Sequence, residues 1–268
     1  MIALVCVLLV TVATIIVGLP TGYPPPRTEA RTVFRVAAAN LAYNNSNIAD
    51  ATRVIQQLDA HVLVLLEWTG TNIGSALLSD SSWQAVLDEP RRSAHGVLVL
   101  VRRPLEATAA LVPPPVEGPC PIPVATVRLR MGSEWVGLLG IHAPPPIPTC
   151  EETNAPTLSA LAELVEDGRL TENLGTARRG DRVVMAGDLN AHPSSQGVTR
   201  ILASGLVDTY ADRHWRPTGT WTSPNWILHL IRIDYVLASR DLPVVGSWTV
   251  DLPGSDHRAV VADLDASR

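Results

Sequence analysis

The chain has 268 residues, 46% of them hydrophobic and 18% charged, which is an ordinary composition for a globular protein. Its formal net charge is −5, so its overall charge gives no sign of the basic stripe that proteins gripping duplex nucleic acid usually carry. The length is compatible with one domain that has a large apolar core.

The chain begins with an unbroken run of apolar and small residues from Ile2 to Leu19, interrupted only by two threonines. About 20 such residues span a bilayer as a helix, so we predict a membrane anchor over residues 1–19. A cleaved signal peptide is the alternative, although the run has neither a basic start nor a small-residue cleavage site. A buried core helix is the third interpretation.

Residues 20–31 contain three consecutive prolines and are predicted to form a stiff linker, which leaves 32–268 as the folded domain. Two signals disagree about the side of the membrane on which this domain lies. Arginines follow the apolar run, and the positive-inside tendency would keep them in the cytoplasm. Cys120 and Cys150 bracket a predicted hairpin, and a disulfide between them would require an oxidising compartment, whereas two unrelated thiols would not. We expect an extracytoplasmic domain.

From residue 32 onward, apolar strand-like runs alternate with turns and a few helical stretches. The predicted strands cover 32–39, 61–66, 96–101, 124–130, 135–141, 182–186, 231–237 and 259–264. The predicted helices are 47–58, with Asn47 as a capping residue, and 157–166. Hairpins join several consecutive strands, so the pattern favours two packed sheets with helices outside over a purely parallel sheet.

Polar residues stand beside the ends of the predicted buried strands or, in the case of Asp234, inside one. They are Asn40, Glu67, His142, Asp188, Asn190, Asp234, Asp256 and His257. Each alone could be a turn former or a packing residue. Because polar groups at strand ends can converge at one rim of a sheet protein, together they predict a metal and phosphate site.

Asp234 is the most informative of these residues, since it lies in an otherwise apolar strand between Ile233 and Tyr235. A carboxylate in such a strand must be paired or hydrogen-bonded to tolerate burial. His257 precedes a neighbouring strand and is the expected partner, in which case Asp234 would fix one imidazole tautomer and stabilise the imidazolium.

The motifs around these residues follow one order along the chain. They are Asn40-Leu41, Leu66-Glu67, Gly140-Ile141-His142, Gly187-Asp188-Leu189-Asn190, Thr220-Trp221, Arg232 to Leu237, and Ser255-Asp256-His257-Arg258. In type and order they resemble the endonuclease/exonuclease/phosphatase superfamily over almost all of 32–264. The resemblance implies an α+β fold, a four-layer αββα sandwich of two mixed, mostly antiparallel sheets with outer helices, with the site at one end of the sheets.

The resemblance also implies a catalytic Mg²⁺ or Mn²⁺. Glu67 would bind this ion, Asn40 would lie beside it, and Asp256 would contribute to the ion or to its water shell. Oxygen ligands of this kind are the ones that such hard cations prefer.

Five further residues receive catalytic roles from the same resemblance. Asp188 would orient and deprotonate the attacking water, and Asn190 would hold that water or the phosphoryl oxygens. His142 would donate a hydrogen bond to a non-bridging oxygen. His257, held by Asp234, would stabilise the pentacoordinate transition state. Such a division suits phosphoryl transfer, which needs an aligned nucleophile and neutralised oxygens.

Other residues are expected to shape the mouth of the site. The prolines at 144–146 follow His142 closely, and Trp221 and Trp226 precede the strand of Asp234. The remaining histidines are interpreted as surface or packing residues, with substrate contact left open for His192; they are His61, His95, His192, His214 and His229.

These features lead to a metal-dependent phosphoesterase that cleaves a small or lipid-linked substrate, such as a phospholipid head group or a small phosphodiester. We expect a monomer tethered to a membrane by its N-terminal helix. A nuclease is the alternative among enzymes, and the arginine pairs at 91–92, 102–103 and 178–179 are its candidate basic contacts. A membrane-tethered binding module that has lost catalysis is the alternative from another class.

Overall fold

The computed structural model describes residues 33–215, 218–222, 229–265 and 267. The predicted anchor at 1–19, the linker at 20–31 and Trp226 lie outside these residues. Within the described part of the chain, no helix is both long enough and apolar enough to cross a membrane.

The described ranges contain twelve strands and five α-helices. The strands are β1 Val33–Asn40, β2 Val62–Leu66, β3 Trp83–Glu89, β4 Val97–Arg102, β5 Ala107–Val112, β6 Val124–Met131, β7 Glu134–His142, β8 Arg182–Asp188, β9 Leu206–Asp208, β10 Asp234–Ser239, β11 Val244–Asp251 and β12 Arg258–Asp265. The helices are α1 Ile48–Gln57, α2 Ser75–Leu78, α3 Glu151–Leu164, α4 Gln196–Ala203 and α5 Thr209–Arg213, with a 3₁₀ turn at Glu166–Gly168.

The strands form two six-stranded sheets that pack face to face. The first sheet has the order β11-β12-β1-β2-β4-β3, and the second has the order β5-β6-β7-β8-β10-β9. Alternate residues of β1 show how both faces are covered. Val36 and Ala38 join the core between the sheets, whereas Ala37 and Ala39 join a second core that includes Ile55 of α1. The four-layer sandwich of two mixed sheets, predicted from the sequence, is confirmed.

One parallel pair at the centre of each sheet determines where the site lies. The parallel pairs are β1 with β2 and β7 with β8, and the other neighbouring strands are antiparallel. Asn40 is therefore level with Leu66, and Asp188 is level with both His142 and Asp234. The carboxyl ends of the parallel strands and the starts of β10 and β12 meet at one rim.

Several predicted boundaries are corrected by the structure. Asn47 occupies the N-cap position of α1, but its side chain makes no capping hydrogen bond. The helix predicted at 157–166 begins at Glu151, because Pro156 is accommodated in its second turn at the loss of one backbone bond. The strand predicted at 231–237 begins only at Asp234, so this carboxylate opens the strand and does not lie in its middle.

The predicted disulfide is present between Cys120 and Cys150. Cys120 lies before β6, and Cys150 is the N-cap residue of α3. The bond therefore joins the two segments that flank the β6–β7 hairpin, close to the rim where the polar residues gather.

Candidate active site

Asn40 ends β1 and Glu67 directly follows β2, the two central strands of the first sheet. The Asn40 Nδ2 group donates to Glu67 Oε1 at 3.0 Å and to Asp188 Oδ2 at 3.3 Å, which links the two sheets. The other Glu67 oxygen accepts from the backbone N–H of Tyr43 at 2.9 Å. Glu67 adopts a left-handed backbone conformation with φ of 56°, a strained geometry of the kind that concentrates at functional sites.

Asp188 ends β8 and is buried at the centre of the rim. Its Oδ1 atom accepts from the backbone N–H of Asn190 at 2.8 Å, and the Asn190 Nδ2 group donates to the Ala143 carbonyl at 2.8 Å. The preceding residue must be glycine, since Gly187 has a φ of 142° and a Cβ there would collide with the Ile141 carbonyl oxygen. The strand can thus bend its aspartate into the rim only with this residue type.

Two imidazoles face Asp188, one at the end of the neighbouring strand β7 and the other directly before β12 in the first sheet. His142 Nε2 lies 3.7 Å and His257 Nδ1 lies 3.8 Å from Asp188 Oδ2. His142 Nδ1 bonds to the Ala94 carbonyl at 2.8 Å, and because a carbonyl only accepts, this nitrogen carries a proton. His142 can therefore donate from Nε2 only when the ring is doubly protonated.

Asp234 and His257 form the buried pair expected from the sequence. His257 Nδ1 lies 2.9 Å from Asp234 Oδ2 and 3.2 Å from Asp234 Oδ1. Thr220 holds the start of this strand, since its Oγ1 accepts from the backbone N–H groups of both Ile233 and Asp234 at 3.0 Å. The orientation of the imidazole is thus fixed by a carboxylate that is itself fixed by a threonine.

Asp256 and Trp221 lie at the side of the rim nearest β12. The Trp221 indole Nε1 donates to Asp256 Oδ2 at 3.0 Å, and the backbone N–H of Thr222 donates to the Asp256 carbonyl at 3.0 Å. Trp221 also forms isolated bridges with Ile231 and His257, which hold this segment against the site.

Burial and neighbouring charges shift the pKa values of Asp188 and His257. Burial, followed by the charge of Asp234, raises the pKa of Asp188 to about 6 despite the opposing influence of the two histidines. Burial acts to lower the pKa of His257. The charge and hydrogen bond of Asp234, with the charges of Asp188 and Asp256, more than offset this and raise that pKa to about 10.

The donor set fits a hard divalent cation. Four carboxylates face the rim, from Glu67, Asp188, Asp234 and Asp256, whereas His257 is the one group there whose pKa is raised enough to keep it cationic at neutral pH. Asp188, Asp234 and His257 each offer one atom within 4.8 Å of the others. However, His257 Nδ1 already binds Asp234, so the carboxylate oxygens of Glu67 and Asp256 are the better ligands for Mg²⁺ or Mn²⁺. Asn40 lies beside Glu67 with its amide N–H₂ towards the carboxylates, whereas its Oδ1 accepts from the backbone N–H of Ala42 at 3.1 Å.

A cavity of about 610 Å³ opens above these residues. Its described lining includes every predicted site residue except Asn40 and Asp234, which lie beneath Glu67 and His257. Pro145 and Pro146 line it as expected, and so does the disulfide between Cys120 and Cys150.

His95, interpreted from the sequence as a surface or packing residue, is exposed, and it also lines this cavity beside His142. It lies in the loop between β3 and β4, directly after the residue whose carbonyl binds His142. Burial, followed by the charge of His142, lowers the pKa of His95. The sequence contained no signal for this residue, since the loop follows a strand that was not predicted. His192 does not line the cavity, and its Nδ1 contacts Ser194 Oγ at 2.9 Å.

Two of the three arginine pairs lie away from the rim. Arg102 ends β4 at the edge opposite the site, where it contacts Asp59 at 3.3 Å and Trp83. Arg178 precedes β8, whose far end carries Asp188, and its backbone N–H binds Asp181. Only the pair at 91–92 belongs to a loop at the rim. No arginine occurs among the described residues that line the cavity.

Comparisons with known proteins agree with the fold. A search of curated proteins found no match. The structure is similar to that of TDP2 from D. rerio, solved with a single-strand DNA product, at 12% identity and a TM-score of 0.69, over 87% of this chain and 99% of the other. It is also similar to the 3′ phosphatase NExo from Neisseria, bound to a product DNA hairpin, at 17% identity and a TM-score of 0.62, over 87% and 99%.

A third similar structure is the human Nocturnin catalytic domain with a bound sulfate anion, at 15% identity and a TM-score of 0.62, over 89% of this chain and 96% of the other. At such identities these likenesses establish the fold. The family model described as Endonuclease/Exonuclease/phosphatase family matches residues 37–257, which is most of the chain. This protein therefore belongs to the endonuclease/exonuclease/phosphatase family and is a hydrolase of phosphoester bonds.

Proposed function

We propose that this protein is a Mg²⁺- or Mn²⁺-dependent phosphoesterase that cleaves a small or lipid-linked phosphoester by in-line attack of water. The observation that carries the proposal is one cavity with a carboxylate- and imidazole-rich floor and largely apolar walls. The floor suits phosphoester chemistry, and the walls suit a substrate with an apolar part.

Glu67 and Asp256 would hold the divalent ion through their carboxylate oxygens, and Asn40 would lie beside it, since its Oδ1 accepts from the backbone N–H of Ala42. When bound, the ion supplies positive charge that neutralises phosphoryl oxygens. The Asn40 amide also donates to both Glu67 and Asp188, and these hydrogen bonds fix the positions of the two carboxylates relative to each other.

Asp188 would accept the proton of the attacking water. A base works best when its pKa lies near the working pH, and the pKa of Asp188 is raised to about 6. Asn190 is held by Ala143 through one N–H, so its other N–H can bind a phosphoryl oxygen or orient the water.

The two histidines would stabilise negative charge on the phosphoryl group. Asp234 holds Nδ1 of His257 and keeps the ring cationic, which makes Nε2 a donor into the cavity. His142 can donate from Nε2 in its doubly protonated form, since Nδ1 is occupied by the Ala94 carbonyl.

A small or lipid-linked substrate is favoured over nucleic acid. The described cavity lining holds isoleucines, prolines and a tryptophan and no arginine, whereas polyanion sites are basic. The apolar run at 1–19 would tether the domain beside lipid, and the disulfide between Cys120 and Cys150 favours an extracytoplasmic location. The similar structures solved with DNA products support a nuclease as the second candidate.

The test offers the full-length protein two substrates in parallel, plasmid DNA and vesicles of phosphoinositide or sphingomyelin. Each is assayed with Mg²⁺, with Mn²⁺ and with excess chelator, and Asp188→Ala serves as the blank. Metal-dependent lipid cleavage without nicking is the expected result. Nicking with intact lipid would replace the lipid substrate with nucleic acid. No cleavage of either, with metal still bound, would favour the binding module.

A further inference from the structure

We propose that Ile147 and Ile231 form the two sides of a binding site for an alkyl chain of the substrate, next to the phosphoester group. The inference rests on the proposed function and specifies its substrate class. The chain would lie between the loop after β7 and the segment before β10, with the phosphoester above Asp188.

Exposure sets these two isoleucines apart. Ile147 is 49% exposed and Ile231 is 42% exposed, and they are two of the five large hydrophobic side chains that are exposed among the described residues. Both line the same cavity as Asp188. An exposed apolar side chain is common singly, but two around a catalytic cavity provide a surface that an apolar ligand can cover.

The strand order places the isoleucines on opposite sides of Asp188. In the second sheet β8 lies between β7 and β10. Ile147 follows β7, Ile231 precedes β10, and Asp188 ends the strand between them. A substituent on phosphorus that extends from the carboxylate floor along the second sheet would therefore have one of these side chains on each side of it.

The Ile147 side is rigid before any ligand arrives. The Ile147 carbonyl accepts from the backbone N–H of Cys150 at 2.8 Å, and Cys150 is joined to Cys120 by the disulfide. The Asn154 Nδ2 group donates to the Pro144 carbonyl at 2.7 Å and to the Leu189 carbonyl at 3.1 Å, which ties the loop to the chain beside Asp188. A preorganised apolar wall binds a chain with little loss of conformational entropy.

The experiment measures binding by calorimetry, with methyl phosphate and butyl phosphate as ligands of the full-length protein in Mg²⁺. Each fully buried methylene strengthens binding by up to about fourfold, so butyl phosphate should bind at least about tenfold more tightly than methyl phosphate. In Ile147→Asn the ratio of the two affinities should fall towards unity. Leu78→Asn is the matched control, because Leu78 is 41% exposed and does not line the cavity.

Three results would overturn the inference: equal affinities in the wild type, no binding of butyl phosphate, or an undiminished ratio in Ile147→Asn. Since Ile147 is exposed, this variant should fold, and Ile231→Asn gives a second reading from the opposite side. Rates on methyl and butyl p-nitrophenyl phosphodiesters separate the two proposals. A normal affinity ratio without hydrolysis would sink the enzyme function alone, whereas hydrolysis without chain preference would sink the alkyl site alone.

Discussion

Replacement of Asp234 by asparagine should remove the positive charge of His257 while it leaves the fold intact. The carboxamide has the same shape as the carboxylate and can still accept from His257 Nδ1, which lies 2.9 Å away in the wild type. Without the charge of Asp234, burial is opposed only by the charges of Asp188 and Asp256, so the pKa of His257 falls from its wild-type value. The neutral ring then carries its one proton on Nδ1, so its Nε2 has no proton to donate to a phosphoryl oxygen.

The size of the effect follows from the pKa of His257. Its rise from 6.5 to about 10 links on the order of 5 kcal/mol of folding free energy to this proton. Because the folded-state pKa is raised, this stabilisation is fully present below about pH 6.5 and is lost as the pH rises through 10. The raised pKa of Asp188 acts in a lower window, between 3.8 and about 6, so it leaves this range undisturbed.

Two assays check the prediction. Urea unfolding of the metal-free protein from about pH 7 to about pH 10 should show a falling stability in the wild type and a much flatter profile in Asp234→Asn. Hydrolysis of a p-nitrophenyl phosphodiester with Mg²⁺ should slow by about 10²–10³-fold, the usual loss for one preorganised donor. Asp241→Asn, which alters an exposed pair with Arg169, is the control. Parallel stability profiles, or a near-wild-type rate in Asp234→Asn, would refute the reasoning.

Three further variants test the other groups of the site. Asp188→Asn should lower the rate of hydrolysis by about 10²–10⁴-fold. It should also stabilise the metal-free protein at pH 8 by on the order of 1–3 kcal/mol, because it removes a buried carboxylate with a raised pKa. A lower thermal midpoint than that of the wild type would contradict this. Glu67→Gln should raise the Mg²⁺ concentration needed for half-maximal activity after chelation and re-addition of metal, and an unchanged metal titration would exclude Glu67 as a ligand. His95→Ala should raise KM more than it lowers kcat, because His95 lines the cavity from its exposed side. Unaltered steady-state kinetics would show that His95 makes no contact with the substrate.

The sequence predicted the central part of the fold and missed its margins. All eight predicted strands exist, and the four that were not predicted are β3, β5, β9 and β11. Each of these four is the outermost strand of its sheet. Strands were recognised by continuous apolar runs, which arise in strands that are buried on both faces and have a neighbouring strand on each side. An edge strand such as β5 is only half-buried, so its composition does not differ enough from that of a loop.

The site was predictable wherever a polar residue broke an apolar strand run. Asp188 and His142 each end such a run, and the pairing of Asp234 with His257 followed from the cost of burying a lone carboxylate. His95 could not be found in this way, because its position depends on β3 and on the turn that brings Ala94 against His142. Contacts between the two sheets have no signature in a local pattern.

The two histidines beside Asp188 are held by partners of different charge. Both rings lie at almost the same distance from Oδ2 of that carboxylate, 3.7 and 3.8 Å, so distance alone does not distinguish them. His142 is held by a neutral carbonyl, whereas His257 is held by a carboxylate that raises its pKa to about 10. The site therefore holds a cation at neutral pH on the β12 side, whereas the imidazole on the β7 side is held by an uncharged partner. In Asp234→Asn both imidazoles should be held by uncharged partners. Comparison of this variant with the wild type therefore measures what the charge of Asp234 contributes to the site.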